Sequence, residues 1–511
     1  MKRIRYPVIL ILLLTAAFAA EDELQFSVER FTLDNGLTFL VVERHTAPVF
    51  SGYICVGAGS AYERIGDIGT AHLLEHMMSK GSRLIGTTDY EAEAELMVKE
   101  DSVWAKIDQA RRATRRIRLG EPNKLDAHLK YIEKLEAVLD SLTATSSQYV
   151  IQNEFDMLYT RNGAASFNAL TRYDFTSYYV SLPSNRIELW FAMESDRLKN
   201  LVLREFFPER DVVSEERRLS VENKSNSKLF EQLIGTAFIA HPYQIYWEWQ
   251  SEINNLTRDD LMRFHDMYYT PQNLTVAVVG DVRLQQVKKL AQDYFGVIPR
   301  RPDPNPIYTV ELEQTGERRV ELLYEANPAV FISYHKVAYD HPDDPVFQVI
   351  ERLIGQGRTS RLYKSLVLDQ QICLDISVDV FPGNFLGDPH ASAFNIYAYP
   401  MNGTTTQELE QAIYAELDKL KTDPVGDKEL QKIKNSIDAA FIWEAYSNMG
   451  LARILAFSQN LTHNWEYLKT FRNSMKAVSA EDIMRVADHY FTGTNRTVAT
   501  LIPANSGGGT R

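Results

Sequence analysis

The chain has 511 residues, of which 45% are hydrophobic and 11% aromatic, so it is too apolar for a disordered protein and long enough for two or more domains. Its 25 glycines and 19 prolines are near average usage, which excludes fibrous and low-complexity chains. The formal net charge is −13, from 68 acidic and 55 basic residues, so nucleic acid is not an expected partner.

The first nineteen residues have the pattern of a secretory signal peptide. Lys2, Arg3 and Arg5 precede an apolar run at 6–18, and residues 17–19 form an A-x-A cleavage site. We therefore predict cleavage after residue 19 and export, most simply to a bacterial periplasm. An uncleaved N-terminal anchor is the alternative. Since no later apolar run has spanning length, the mature chain is not expected to contact a membrane.

The segment GTAHLLEHMMSKG follows, and it predicts a helix that Thr70 caps and Gly81 ends. His72 and His76 are spaced i, i+4 and therefore lie on one face, with Glu75 beside them. Because the other positions are apolar, this polar stripe would be costly to bury without a partner. Two imidazoles and an acid at this spacing favour a zinc site in which the acid serves as the base. A hydrogen-bonded pair of core histidines is the alternative.

Residues 91–146 are charged and have helical periodicity, interrupted once at Gly120-Glu121-Pro122-Asn123. Apolar residues recur through this stretch at helical spacing. The pattern predicts a two-helix hairpin inserted into the first domain. Its charged faces are interpreted as solvated surface in preference to a binding site.

A catalytic zinc needs a third protein ligand and an open fourth position, and PERDVVSEERRL offers candidates. Read as a helix, Glu216 has Val212, Val213 and Leu219 as neighbours, so we predict that it points into an apolar face. Glu209 lies two turns earlier on the same stripe, whereas Glu215 is expected to be solvated. The alternative for Glu216 is a buried acid paired with an arginine.

The chain contains an internal repeat. Residues 256–280 and 478–502 align without gaps, with ten identities in 25 positions, and each copy is typical of a capped helix, a turn and a β-branched strand. A proline-rich stretch at 300–310 separates them and is interpreted as a linker. The sequence therefore predicts two related α/β domains, at 25–300 and 310–503.

HLLEH and ERDVVSEE, with GAASFNALT at residues 163–171 between them, resemble the pitrilysin/insulinase family of zinc peptidases, which carry an inverted HxxEH motif. The resemblance covers nearly the whole mature chain and is strongest to subunits like those of mitochondrial processing peptidase and its bacterial relatives. It implies an α+β fold with two homologous α/β-roll domains, each a mainly antiparallel sheet covered by helices. The helical hairpin would be an insertion in the first domain.

The resemblance also implies one zinc ion per chain and no metal site in the second domain. The implied zinc ligands are His72, His76 and Glu216. Glu75 would be the general base and Glu209 a supporting acid near the site. Asn168 and Ala169 would lie on the strand that lines the cleft, where a substrate can add as an extended strand.

The chain departs from the family pattern in two places. The interval from His76 to Glu216 is 140 residues, longer than is usual, and the hairpin accounts for the excess. Family members commonly carry an Arg and a Tyr in the second domain after a motif like SRLY, but Val367 and Leu374 occupy those slots here. The hypothesis is that a related partner subunit supplies this pair, with a homodimer as the alternative.

Together these features predict an exported zinc metallo-endopeptidase. Its substrates would be peptides or small unfolded polypeptides held in a closed chamber. The alternative is a non-catalytic scaffold or assembly subunit of the same fold.

Overall fold

A computed structural model describes residues 26–504, so the predicted signal peptide lies outside the described residues. The first half of the chain forms a six-stranded sheet in the order β1-β2-β6-β3-β5-β4. Its strands are β1 (Glu29–Thr32), β2 (Thr38–Glu43), β3 (Val49–Val56), β4 (Ala165–Thr171), β5 (Thr176–Pro183) and β6 (Leu274–Gly280). Only β2 and β6 run parallel among these neighbours, so the sheet is mainly antiparallel.

The second half forms a five-stranded sheet in the order β7-β11-β8-β10-β9. Its strands are β7 (Arg318–Tyr324), β8 (Ala329–Lys336), β9 (Cys373–Phe381), β10 (Ser392–Pro400) and β11 (Arg496–Pro503). Again one pair, β7 and β11, is parallel and the others are antiparallel. Because this order matches β2-β6-β3-β5-β4, the predicted pair of homologous, mainly antiparallel domains is confirmed.

Helices cover both sheets. Those of the first half are α1 (Thr70–Met77), α2 (Tyr90–Gly120), α3 (Leu125–Ser146), α4 (Glu154–Arg161), α5 (Ile187–Lys199), α6 (Phe206–Arg217), α7 (Ser225–Ala237), α8 (Gln250–Ile253), α9 (Arg258–Tyr268) and α10 (Leu284–Leu290). Those of the second half are α11 (Asp344–Gly355), α12 (Thr406–Thr422), α13 (Asp427–Tyr446), α14 (Asn448–Thr462), α15 (Tyr467–Ala477) and α16 (Ala480–Tyr490). From residue 26 to 504, no helix combines the length and the apolar character needed to cross a bilayer.

The sequence repeat corresponds to a structural one. Helices α9 and α16 begin and end at positions 222 residues apart, and each leads into the strand of its sheet that pairs in parallel. Each helix begins with a capping box, formed by Thr257 with Asp260 and by Ser479 with Asp482. These reciprocal bonds satisfy free backbone donors of the first turn, which explains why both helices start at the same register.

The two halves also exchange one helix each. Helix α14 of the second half packs on β3 and β6 of the first sheet, and α7 of the first half packs on β7, β8 and β11 of the second. Leu451 and Leu455 of α14 thus share one buried cluster with Tyr53 and Ala277 of the first sheet. The contact between the halves is therefore apolar and core-like.

The predicted hairpin is formed by α2 and α3, which pack side by side. Its base is buried through Trp104 and Ile107, and the Trp104 ring lies 5.6 Å from that of Phe207 on α6. The hairpin is therefore fixed to the domain by the same helix that carries Glu216. The linker at 300–310 has neither helix nor strand.

Candidate metal centre

Helix α1 has the burial pattern that the sequence predicts. Its apolar side chains are buried, whereas His72, Glu75 and His76 are partly exposed along one stripe. The helix ends at Met77, so the prediction that it extends to Gly81 is wrong. Gly81 has a φ of +103° and turns the chain four residues later.

The predicted cap at Thr70 is also wrong. Gly69 occupies the N-cap position in the left-handed region, and no side chain of the N-cap closes the helix. Glu63 does so from outside, because its Oε1 accepts from the backbone N–H of Ala71 at 2.6 Å and its Oε2 from that of Gly69 at 2.9 Å. An acid at a helix N-terminus also interacts favourably with the helix dipole.

The two histidines of α1 and Glu216 of α6 converge. The His72 and His76 rings are 4.8 Å apart and almost perpendicular. Each Nε2 lies 3.6 Å from Glu216 Oε2, and one potential ligand atom from each residue lies within 4.8 Å of the others. Within the described part of the chain this is the one such group of three or more His, Cys, Asp or Glu residues.

Two further carboxylates orient the imidazoles. His72 Nδ1 lies 2.7 Å from Glu248 Oε1, and His76 Nδ1 lies 2.9 Å from Glu209 Oε1. A carboxylate only accepts hydrogen bonds, so both Nδ1 atoms donate. In its neutral form each imidazole therefore presents the lone pair of Nε2, the arrangement that metal-binding histidines commonly have.

The site is electrostatically arranged for a cation. Burial by itself lowers the pKa of His72, but the hydrogen bond to Glu248 and the charges of Glu248, Glu75 and Glu216 outweigh it and raise that pKa to about 9. For Glu209 burial is likewise opposed, by hydrogen bonds from His76 and Lys80, and the pKa falls to about 2. The surrounding carboxylates therefore favour positive charge at this point.

Glu216 lies beside the histidines as predicted, but its surroundings differ from the predicted apolar face. Of its three apolar neighbours only Val213 is buried; Val212 and Leu219 are 45% and 51% exposed, and the Glu216 side chain is itself 42% exposed. The prediction that Glu216 points into an apolar face is therefore wrong, because its side chain is partly open to solvent. Glu215 pairs with Arg218 at 2.6 Å on the solvent side, so it does not compete for the site.

The Glu75 side chain is hydrogen-bonded to a residue of strand β4. Its Oε2 accepts a hydrogen bond from Thr171 Oγ1 at 2.6 Å, and in the described structure no hydrogen bond reaches Oε1. One oxygen is thus fixed and the other is available for proton transfer. Since α1 also contacts β4, the acid, the histidines and the strand border the same space.

The predicted substrate strand is the outer edge of the first sheet. Asn168 and Ala169 lie on β4, which pairs with β5 on one side only. Asn168 is exposed, and its Oδ1 accepts from the backbone N–H of Ala169 at 2.9 Å. A cavity of about 210 Å³ beside this strand is lined by residues that include His72, Thr171 and Trp247.

Sequence reasoning missed Glu248. The residue has no motif around it, and it reaches His72 because Arg217, next to Glu216, donates from Nη1 to the backbone carbonyl of Glu248 at 2.8 Å. The adjacent Trp247 ring lies 6.0 Å from that of His72. No spacing rule could have connected these segments, since the contact depends on the fold.

The donor set fits a zinc ion. Zinc–ligand bonds of about 2.0–2.2 Å in tetrahedral geometry place ligand atoms roughly 3.3 Å apart, near the 3.6 Å found here for both Nε2 atoms. Two imidazoles and one carboxylate are the ligands of several catalytic zinc sites and leave the fourth position open. Glu248 and Glu209, which accept hydrogen bonds from Nδ1 of the two histidines, are the outer carboxylates that metal-binding histidines commonly have.

The two homologous domains and the inverted HxxEH motif on α1 are the features that the sequence shares with the insulinase family of zinc peptidases. Sequence profiles agree. The profile described as "Insulinase (Peptidase family M16)" matches residues 38–108, and "Peptidase M16 inactive domain" matches residues 255–437. The chain belongs to the insulinase family, peptidase family M16.

Individual relatives support the same placement. "Zinc protease PqqE" of Helicobacter pylori is 30% identical over 378 residues, covering 72% of this chain and 82% of that protein. "Mitochondrial-processing peptidase subunit beta" of Lentinula edodes is 22% identical over 93% of this chain and 90% of its own length. A crystal structure of a protease from Helicobacter pylori superposes with a TM-score of 0.75 at 25% identity, covering 94% of this chain and all of that one.

Proposed function

We propose that this chain is a zinc metallo-endopeptidase. The observation that carries the proposal is the convergence of His72, His76 and Glu216, with Glu75 beside them on the cleft side. The names of the relatives support zinc and peptide hydrolysis. Export rests on the signal-peptide pattern of the first nineteen residues, and we place the exported protein in a bacterial periplasm.

The chain's own residues account for the catalytic roles. His72, His76 and Glu216 would hold the ion, and zinc when bound supplies a Lewis acid that acidifies water and polarises a carbonyl. Glu75 Oε1 accepts the proton of the attacking water and passes it to the leaving amine, while Thr171 holds Oε2 in place. Glu209 and Glu248 keep the imidazoles oriented and act as positioning residues.

The substrate is a peptide bound as an added strand on β4. An edge strand offers unpaired backbone groups, so main-chain hydrogen bonds hold an extended polypeptide in a sequence-tolerant way. Asn168 and Ala169 lie on this edge, and Glu75 reaches its last residue, Thr171. This arrangement brings a bound main chain next to the acid and suits peptides or unfolded polypeptides held in a chamber.

A related subunit completes the site. Val367 and Leu374 lie in the second half, and neither can donate hydrogen bonds to a substrate carbonyl from its side chain. A partner with the Arg and Tyr at the matching positions would supply them, and one relative is named as a subunit. Isolation from the native host of an active homodimer alone would contradict this pairing.

Glu75→Gln tests the catalytic assignment, because it removes the base and retains a similar shape. We expect it to keep about one zinc per chain and to lose peptide hydrolysis at least a hundredfold. His72→Ala should lose both zinc and hydrolysis. Glu215→Gln, on the same helix as Glu216 but facing solvent, is the matched control and should change neither. Hydrolysis by Glu75→Gln at the wild-type rate would contradict the proposal.

A non-catalytic scaffold is the second candidate. It is favoured by the match of residues 255–437 to a profile described as inactive. In such a protein the site would bind zinc without supporting turnover. Zinc-loaded protein that cleaves no peptide, alone or with a related subunit, would support this reading.

A further inference from the structure

The helical hairpin ends in a tip that stands clear of the domain. The last buried residue of α2 is Ala110 and the first buried residue of α3 is Ile132, and every residue between them is at least partly exposed. Residues 111–131 are called the hairpin tip below. The ten residues from Ala110 to the end of α2 rise about 15 Å at 1.5 Å each. The tip is therefore a narrow projection.

The hairpin tip is strongly basic in an acidic protein. It holds seven Lys or Arg residues against two acids, whereas the whole chain has a net charge of −13. Four of these cations form ion pairs with acidic residues of the hairpin: Arg111, Arg112, Lys124 and Lys130. Arg115, Arg116 and Arg118 are exposed and have no ion pair within 4.0 Å among residues 26–504. Three arginines are thus left to interact with an external anion.

Apolar side chains are exposed among these charges. Leu119, at the end of α2, is 77% exposed, and Leu129 and Tyr131 on α3 are 45% and 49% exposed. Arg115 and Leu119 are spaced i, i+4 and so share one helix face. Leu119 is thus an exposed leucine among arginines at a convex tip. This combination suits the interface of a lipid bilayer, where cationic side chains bind phosphates and apolar side chains enter the headgroup layer.

We propose that the hairpin tip docks the protein on an anionic phospholipid surface. The acidic body does not prevent this, because the tip extends about 15 Å and charges beyond roughly 8 Å are screened at physiological ionic strength. The proposal revises the expectation that the mature chain makes no contact with a membrane. It also gives the inserted hairpin a role that is independent of the metal centre.

The test is co-sedimentation with vesicles, using the chain from Ala20 onward so that the apolar leader contributes nothing. Vesicles of equal parts phosphatidylglycerol and phosphatidylcholine should bind the protein, and pure phosphatidylcholine should not. Reversal of Arg115, Arg116 and Arg118 to glutamate should weaken binding about tenfold or more. Leu119→Ser should also weaken it, without changing its salt dependence.

A matched control reverses three exposed lysines of the body: Lys199, Lys224 and Lys428. This variant changes the net charge equally and should bind anionic vesicles within about twofold of the wild type. Equal loss in the control and the tip variant would show that only net charge matters and would overturn the proposal. Binding to soluble polyglutamate with no binding to anionic vesicles would overturn it in favour of an acidic protein partner.

Discussion

Substitution of Glu248 tests whether its carboxylate orients the His72 imidazole for metal binding. The Glu248 side chain is 9% exposed, and its Oε1 lies 2.7 Å from His72 Nδ1. Glu248→Ala leaves the imidazole free to rotate, yet the loop stays in place because Arg217 binds a backbone carbonyl. Loss of such an outer carboxylate costs about 10- to 100-fold in metal affinity. That corresponds to roughly 1.4–2.7 kcal/mol.

The dissociation constant for zinc is measured by competition with a fluorescent chelator near neutral pH. Glu248→Gln keeps an acceptor oxygen but removes the charge, so its affinity should lie between those of the wild type and Glu248→Ala. Glu215→Gln should bind zinc as the wild type does. Equal affinity of Glu248→Ala and the wild type would refute the inference that this residue orients a ligand.

The remaining predictions concern stability and metal removal. A chelator should abolish hydrolysis and lower the melting temperature, because zinc that binds only the folded state stabilises the folded state. An unchanged melting temperature would argue against tight zinc binding. Burial raises the pKa of Asp174 to about 7, so the folded state holds a proton that the unfolded chain releases near pH 4. Protonation of Asp174 therefore stabilises the folded state at low pH, and this contribution is lost as the pH rises to about 7. The urea midpoint of the wild type should fall between about pH 5 and pH 7.5, and the fall should be smaller for Asp174→Asn. A Cβ on Gly59 would lie 1.9 Å from the Arg172 carbonyl oxygen, so Gly59→Ala should destabilise the protein by about 1–3 kcal/mol in urea unfolding, and wild-type stability would contradict this contact.

Local patterns predicted much of the fold and part of the site. The i, i+4 spacing of His72 and His76 and the apolar positions around them suffice to define a buried helix with one polar stripe, because both depend only on helix periodicity. The repeat predicted a capped helix before a β-branched strand in each copy, and α9 and α16 do each begin with a capping box. Each of these features depends only on residues that are close together in the sequence.

Contacts between distant segments could not be predicted in the same way. Glu63 closes α1 across a loop, and Glu248 reaches His72 from 176 residues away, and neither contact follows from periodicity. For Glu216 the selected residue converges with the histidines, but the reason given for it failed. Apolar neighbours indicate burial only if a second element covers them, and the face with Val212 and Leu219 is open to solvent.

We expect one zinc ion to bind where α1 and α6 meet. The most direct measurement is anomalous diffraction at the zinc absorption edge from crystals of the zinc-loaded protein. We predict one anomalous peak per chain, about 2.0–2.2 Å from His72 Nε2, His76 Nε2 and a Glu216 oxygen. A peak bound by other residues, or no peak near these three atoms, would contradict the assignment of His72, His76 and Glu216 as zinc ligands.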